Sequence, residues 1–131
     1  MTVDEPKIRY SSATGEVEVA ATRAALRRFA DLLDSEGGRV AAQRVADPAP
    51  YEKCLDGIDF VPVADGEVVF RVDQGVGLLV VEGGSSKVAV LAKNIRGLAD
   101  DGQSGEHLHV EYFPEHFFLG EATLPIVFLL M

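Results

Sequence analysis

Residues 107–113 read HLHVEYF, with polar and apolar side chains in alternation. A β-strand points successive side chains to opposite faces of its sheet, so this period predicts a strand with one buried face and one open face. The fold expected around it is a sheet that is packed on one side and wet on the other. The polar set is His107, His109 and Glu111, and the apolar set is Leu108, Val110 and Tyr112.

Similar alternation predicts further strands over residues 8–12, 16–20, 67–73 and 77–81, which form two hairpins across glycine-bearing turns. A weaker pattern predicts a strand over 39–45, a short one over 58–61, and a last one over 124–130. Residues 47–50 carry two prolines and are expected to form a loop. The rest of 51–62 is ambiguous.

Two segments show the three- and four-residue spacing of an amphipathic helix. Thr22–Ser35 begins with a capping residue and ends before a glycine pair, and Ser86–Ala99 follows another glycine pair. The apolar stripes that these helices are expected to bury are Leu26, Phe29, Leu32 and Leu33 in the first and Val88, Leu91, Ile95 and Leu98 in the second.

The hairpin and helix occur twice. A displacement of 62 residues places Arg9 on Arg71 and Gly15 on Gly77. The match does not distinguish duplication from chance similarity, but it predicts an architecture. We expect one α+β domain over residues 1–131, with an N-terminal unit over about 7–46 and a C-terminal unit over about 67–131. The two helices are expected to pack on one face of a mostly antiparallel sheet, and the repeat is compatible with two pseudo-repeated ββαβ units.

Composition narrows the class of protein. The chain has 131 residues, 47% of them hydrophobic, which suits a single folded domain. Its one cysteine, Cys54, forms no internal disulfide, as is usual in a reducing cytosol. Its N-terminal residues show no signal peptide, and its longest apolar run, residues 126–131, falls far short of the about 20 residues that span a bilayer. We therefore expect a cytoplasmic location.

The formal net charge of −9 disfavours nucleic acid and anionic lipid as partners, because an acidic field repels both. It favours a basic protein partner, although acidity also serves solubility alone. Glycine pairs precede the second helix without a P-loop or dinucleotide-binding motif, and Cys54 has no neighbouring base. We expect no cofactor.

The open face of the sheet is the candidate functional surface, and partner binding is its expected role. The same strand also suggests chemistry, since two imidazoles and a carboxylate at alternate positions are typical metal ligands. His116 is a candidate to complete such a site. The residues expected to bind a partner are Glu18, Arg71, Asp73, His107, His109 and Glu111, and those of the alternative metal site are His107, His109 and Glu111.

The last strand, residues 124–130, is apolar on both faces. Pro125 suits the start of an edge strand, and an exposed apolar edge invites pairing with another chain. The sequence therefore predicts a homodimer through this strand, or a loop that covers its second face.

Residues 105–114, GEHLHVEYFP, followed by Leu119 and by LPIV at 124–127, resemble the bacterial immunity protein family thirty-two of polymorphic toxin systems. The resemblance covers Glu67 to Met131. It implies a cytosolic antidote that binds and blocks a cognate toxin, and many such toxins are basic nucleases. The family residues that carry over are His107, His109, Glu111 and Pro114, with no catalytic role implied.

Three hypotheses follow. The first is a non-enzymatic binding protein that neutralises a toxin. The second is a metal-dependent hydrolase centred on the His-x-His-x-Glu strand, and the third is a regulatory domain with another partner. The sequence lacks a nucleophile motif and a second cluster of metal ligands, which favours the first and the third.

Overall fold

The computed structural model describes residues 5–43, 47, 49, 51 and 53–131. Predicted positions 44–46, 48 and 50, including the end of the strand over 39–45 and both prolines of the loop, lie outside them. The described elements are, in chain order, β1 (Lys7–Tyr10), β2 (Val17–Ala21), α1 (Arg23–Leu33), β3 (Gly38–Ala41), β4 (Lys53–Leu55), β5 (Gly57–Pro62), β6 (Val69–Asp73), β7 (Leu78–Gly83), α2 (Ser85–Asp101), β8 (His107–Val110) and β9 (Ile126–Leu130).

These strands form two sheets instead of the single sheet expected from the sequence. A five-stranded sheet has the order β4-β1-β2-β9-β8, and a four-stranded sheet has the order β3-β5-β7-β6. Pairing is antiparallel except between β2 and β9 and between β5 and β7. The prediction of an α+β fold with mostly antiparallel strands is thus confirmed, and a second sheet is the correction.

The two sheets are built alike, because each combines a hairpin from one half of the chain with a strand pair from the other. The hairpin β1-β2 continues into the pair β9-β8, while the hairpin β6-β7 continues into the pair β5-β3. The registers agree: Val19 lies opposite Phe128, and Val81, its counterpart in the repeat, lies opposite Phe60. The repeat is therefore structural, and its two units exchange their return strands.

Each helix forms where its sequence pattern predicts. The side chain of Thr22 accepts a hydrogen bond from the Ala25 backbone N–H at 3.1 Å and so caps α1, which begins at the next residue. Leu26, Phe29 and Leu33 of the predicted stripe are buried, and Leu32 packs at the margin of the core. Both predicted helices are confirmed, with α2 extending to Asp101. The two helices also pack closely against each other.

One core joins the helices and both sheets. Phe128 of β9 stacks on Phe29 of α1 with ring centroids 5.8 Å apart, and meets the edge of Phe70 of β6 at 6.4 Å. All three side chains are buried. A helix and both sheets thus meet at a single aromatic cluster. This packing holds the inner faces of the two sheets in the core and leaves their outer faces open. No helix in the described residues combines the length and apolar character needed to cross a membrane.

The predicted edge position of the last strand is wrong. β9 lies inside the five-stranded sheet, paired with β2 on one side and β8 on the other. Its two apolar faces have separate causes, since Ile126 and Phe128 enter the core while Val127, also buried, lies opposite Glu18 and His109. A central strand keeps an apolar outer face because side chains from both neighbours shield it.

Candidate functional site

The outer face of the five-stranded sheet carries the histidine strand. The strand register places side chains in rows across the sheet. We call the two rows that contain the histidines, together with Glu111 just after β8 and beside His109, the histidine face. One row is Arg9, Glu18, Val127 and His109, and the next is Lys7, Ala20, Leu129 and His107. The two imidazoles lie at the β8 end of this face and are the part of it nearest a sheet edge.

The histidines are exposed and loosely arranged. The imidazole rings of His107 and His109 lie 6.1 Å apart, and His109 Nδ1 lies 3.8 Å from a Glu111 carboxylate oxygen. The side chains of His109 and Glu111 are 63% and 58% exposed. Within the part of the chain that the structure describes, no three His, Cys, Asp or Glu side chains form a group that can hold a metal ion.

Glu18 is held in place by its neighbour on β1. Arg9 forms an ion pair with Glu18 and lies over the ring of Tyr51, 5.1 Å from its centroid. The Tyr51 hydroxyl donates to a Glu16 carboxylate oxygen at 2.7 Å. Burial and that hydrogen bond raise the pKa of Tyr51 to about 12, so the hydroxyl remains a donor at neutral pH. This network links Arg9 and Glu18 on the β1 side of the face to Tyr51 and Glu16.

Arg71 and Asp73 lie on the other sheet, so the predicted partner-binding residues do not form one surface. Arg71 Nε donates to Glu82 at 2.8 Å, a hydrogen bond that raises the pKa of Arg71. The Asp73 carboxylate accepts the Gly75 backbone N–H at 3.1 Å and so stabilises the β6-β7 turn. The structure brings together Glu18, His107, His109 and Glu111, and it separates Arg71 and Asp73 from them.

A shallow cavity of about 240 Å³ opens on the histidine face, lined by Lys7, Arg9, Ala20, Leu129 and Met131. Its floor is apolar and its rim carries two cations, so it suits an apolar or acidic side chain. The prediction of a homodimer through the outer side of β9 concerns this same region. It stays a prediction, which light scattering at twice the 14.1 kDa monomer mass would test.

The sequence did not single out the connection between β8 and β9. We call residues 111–121 the aromatic loop. The side chains of Phe113 and Phe117 are 57% and 71% exposed, while Phe118 and Leu119 are buried. From Phe118 onward the chain runs beside the start of β6. The Val68 N–H, just before that strand, donates to the Phe118 carbonyl at 2.8 Å. The four aromatic residues within 112–118 are the sequence feature that could have indicated this loop.

His116 holds this loop in shape and takes no part in the histidine face. Its Nδ1 accepts the backbone N–H groups of Phe118 and Leu119 at 3.2 and 3.0 Å. Its ring contacts Phe113 and Phe118, with centroids 4.6 and 4.8 Å away. Nδ1 of His116 is thus engaged by two backbone donors, and the suggestion that His116 completes a metal site stays a prediction that would have to use Nε2.

Replacing His116 by alanine is expected to lower the free energy of unfolding by about 1–3 kcal/mol, because two backbone donors lose their acceptor. Urea denaturation of both proteins measures the difference. His109→Ala is the matched control, and a change below about 0.5 kcal/mol is expected for its exposed side chain. Equal effects of the two substitutions would contradict the structural role of His116.

Comparison with known proteins gives one match. A family model described as Immunity protein 32 matches residues 16–35 and 79–130, more than half of the chain. No curated protein and no solved structure matches. The fold is that of a small α+β domain with an open, partly charged sheet face. The chain belongs to the immunity protein 32 family, which gives it an immunity-type role against a toxin.

The matched segments are distant in sequence but adjacent in space. They include β2, α1, β7, α2, β8 and β9. β2 and β8 are the two neighbours of β9, and the helices pack on each other. The resemblance seen over the C-terminal half is thus confirmed, and the match adds β2 and α1. It includes both histidines and the whole aromatic loop.

Proposed function

We propose that this chain is a non-enzymatic cytoplasmic inhibitor that binds a basic toxin one-to-one, and that the toxin is a nuclease. Membership in an immunity family supports the inhibitory role. The net charge of −9 supports a basic partner, because complementary charge raises the rate of encounter and disfavours wrong partners. Nucleases are basic where they bind the phosphate backbone, so an acidic protein is a natural competitor for that surface.

The histidine face is the proposed contact surface, and the exposed Glu111 beside His109 is the observation that carries this assignment. Its carboxylate has a loose neighbour at 3.8 Å and more than half of its side chain free for a partner's cation. Arg71 and Asp73 would join the interface only if the toxin also reached the four-stranded sheet. An inhibitor needs only such exposed complementary groups, whereas a hydrolase needs reacting groups held together.

If a neighbouring gene encodes a toxic domain, equimolar protein should protect cells that express that domain. Titration calorimetry should then give a one-to-one complex. Glu111→Lys is expected to weaken binding at least about 10-fold at low salt, mainly through slower association. Glu36→Lys is the matched control, since it changes the net charge equally at an exposed site outside the histidine face.

The outcomes separate the hypotheses. Absence of both protection and binding by the unaltered chain would remove the proposed function. Protection at far below equimolar amounts would indicate an enzyme, because a stoichiometric inhibitor cannot turn over. Equal weakening by Glu111→Lys and Glu36→Lys would show that net charge matters and that the histidine face does not.

A further inference from the structure

The aromatic loop displays apolar surface that folding does not require. Phe113 and Phe117 are the most exposed aromatic side chains among the described residues. An aromatic side chain offers about 150–250 Å² for burial, and such groups dominate the energetics of interfaces. Single exposed apolar residues need no explanation, but two in one short, ordered loop do.

The loop is fixed before any partner arrives. Phe113 packs on His116, whose Nδ1 accepts two backbone N–H groups further along the loop. Lys87, in the first turn of α2, donates to the Phe117 carbonyl at 3.0 Å and lies 5.2 Å from the centre of its ring. Both exposed rings therefore have a contact within the chain that sets their position. A preformed loop loses less conformational entropy on binding than a mobile one.

One backbone position in this loop is strained. Glu115 has φ of 69°, the only positive φ at a non-glycine residue in the described part of the chain. A side chain in the left-handed region costs about 1 kcal/mol or more, and such positions cluster at functional sites. Here the conformation lets the chain reverse between the two exposed phenylalanines. The surrounding contacts thus support a shape that local preference opposes.

The charges along the loop indicate which kind of partner surface would complement it. Glu111, Glu115 and Glu121 are exposed along the same segment, so the two rings are accompanied by carboxylates. The matching surface is an apolar cleft with lysine or arginine at its rim. An acidic or purely apolar partner would leave these carboxylates unpaired at the interface, which is costly.

We propose that the aromatic loop is the anchor of the toxin interface, with Phe113 and Phe117 inserted in an apolar cleft of a basic toxin and the glutamates paired at its rim. This inference rests on the proposed function and deepens it. The loop continues directly from Glu111, which follows the strand that bears the histidines and lies beside His109. The loop supplies affinity there, and the charged face supplies orientation and association rate.

The test uses the full chain and the toxic domain against which it protects cells. A double variant, Phe113→Ser with Phe117→Ser, is expected to bind at least about 30-fold more weakly, mainly through faster dissociation. Val76→Ser is the matched control, because it removes an exposed apolar side chain, 58% exposed, from the β6-β7 turn. We expect less than a twofold change there. Circular dichroism and the thermal midpoint establish that each variant is folded.

Hydrogen exchange on the unaltered protein gives a second measurement that needs no variant. Backbone amides of residues 111–118 should exchange more slowly when the toxin is bound. A folded double variant with unchanged affinity, or a complex without protection in this loop, overturns the proposal while the proposed function stands. If the unaltered chain does not bind the toxin, both fall. Loss of self-association with toxin affinity kept would assign the loop to a second copy and would also overturn it.

Discussion

Phe128→Ala is expected to lower the free energy of unfolding by about 3–5 kcal/mol, the range measured when a buried aromatic side chain is truncated to alanine. Phe128 is fully buried and its ring contacts Phe29 and Phe70, so the substitution leaves a cavity where α1 and both sheets meet. Since a domain of this size is stabilised by about 5–15 kcal/mol in total, this is a large fraction. Urea denaturation of both proteins measures the difference in the free energy of unfolding, provided that their m-values agree.

Phe117→Ala is the matched control, because it removes the same atoms from a side chain that is 71% exposed. We expect a change below about 0.5 kcal/mol. If both alanine variants lost equal stability, the aromatic cluster would not be the centre of the core. Phe128→Glu would bury a charge in this cluster and unfold the chain. It therefore reports on folding and not on self-association.

Gly83→Ala is expected to destabilise the protein by about 2–3 kcal/mol, the cost of overpacking a filled core. Gly83 ends β7 immediately before α2, and a Cβ there would lie 2.8 Å from Val88 Cγ2 and 3.1 Å from Val68 Cγ2. Both valines are buried, so neither can swing aside. The absence of a side chain lets the first turn of α2 pack closely on the sheet. The thermal midpoint should fall by several degrees.

Gly97→Ala makes the same change in the middle of α2, where an added Cβ meets nothing within 4 Å. Here alanine should raise stability by about 0.5–1 kcal/mol, since glycine costs that much in a helix interior. The two substitutions therefore differ in sign. A stabilising Gly83→Ala would show that the junction of β7 and α2 is loosely packed.

Local structure was predictable from the sequence because its causes are local. The hairpin strands alternate over a few residues, and the stripe Leu26, Phe29, Leu33 needs only helical spacing. The capping role of Thr22 likewise depends on the three residues after it. These elements match the structure within a few residues, and the repeat correctly indicated equivalent units.

Strand partnership was not predictable, because it depends on residues far apart in the chain. Nothing in the sequence of β3 states that it pairs with β5 instead of extending the sheet of β1 and β2. The last strand illustrates the same limit. A strand with apolar residues on both faces is compatible with an exposed edge and with a central position. Only the folded structure distinguishes the two, by pairing Val127 with Glu18 on one side and His109 on the other.

The candidate site was predicted in part. Alternation correctly placed His107 and His109 on an open face, because a strand's period is independent of its partners. It also placed Arg71 and Asp73 on that face, whereas they lie on the other sheet, because equal periods on two strands do not put them in one sheet. The aromatic loop has no period, so pattern analysis passed over it. Its shape comes from His116 and Lys87, whose contacts only the folded chain reveals.

The exchange of return strands between the two units has a consequence for synthesis on the ribosome. The first hairpin emerges early, but the strand that pairs with β2 is β9, near the end of the sequence. Until residues 126–130 emerge, β2 presents an unpaired edge and the core side of Val17 and Val19 lacks its cover. The core therefore cannot close before β9 has been synthesised, however early the first hairpin forms.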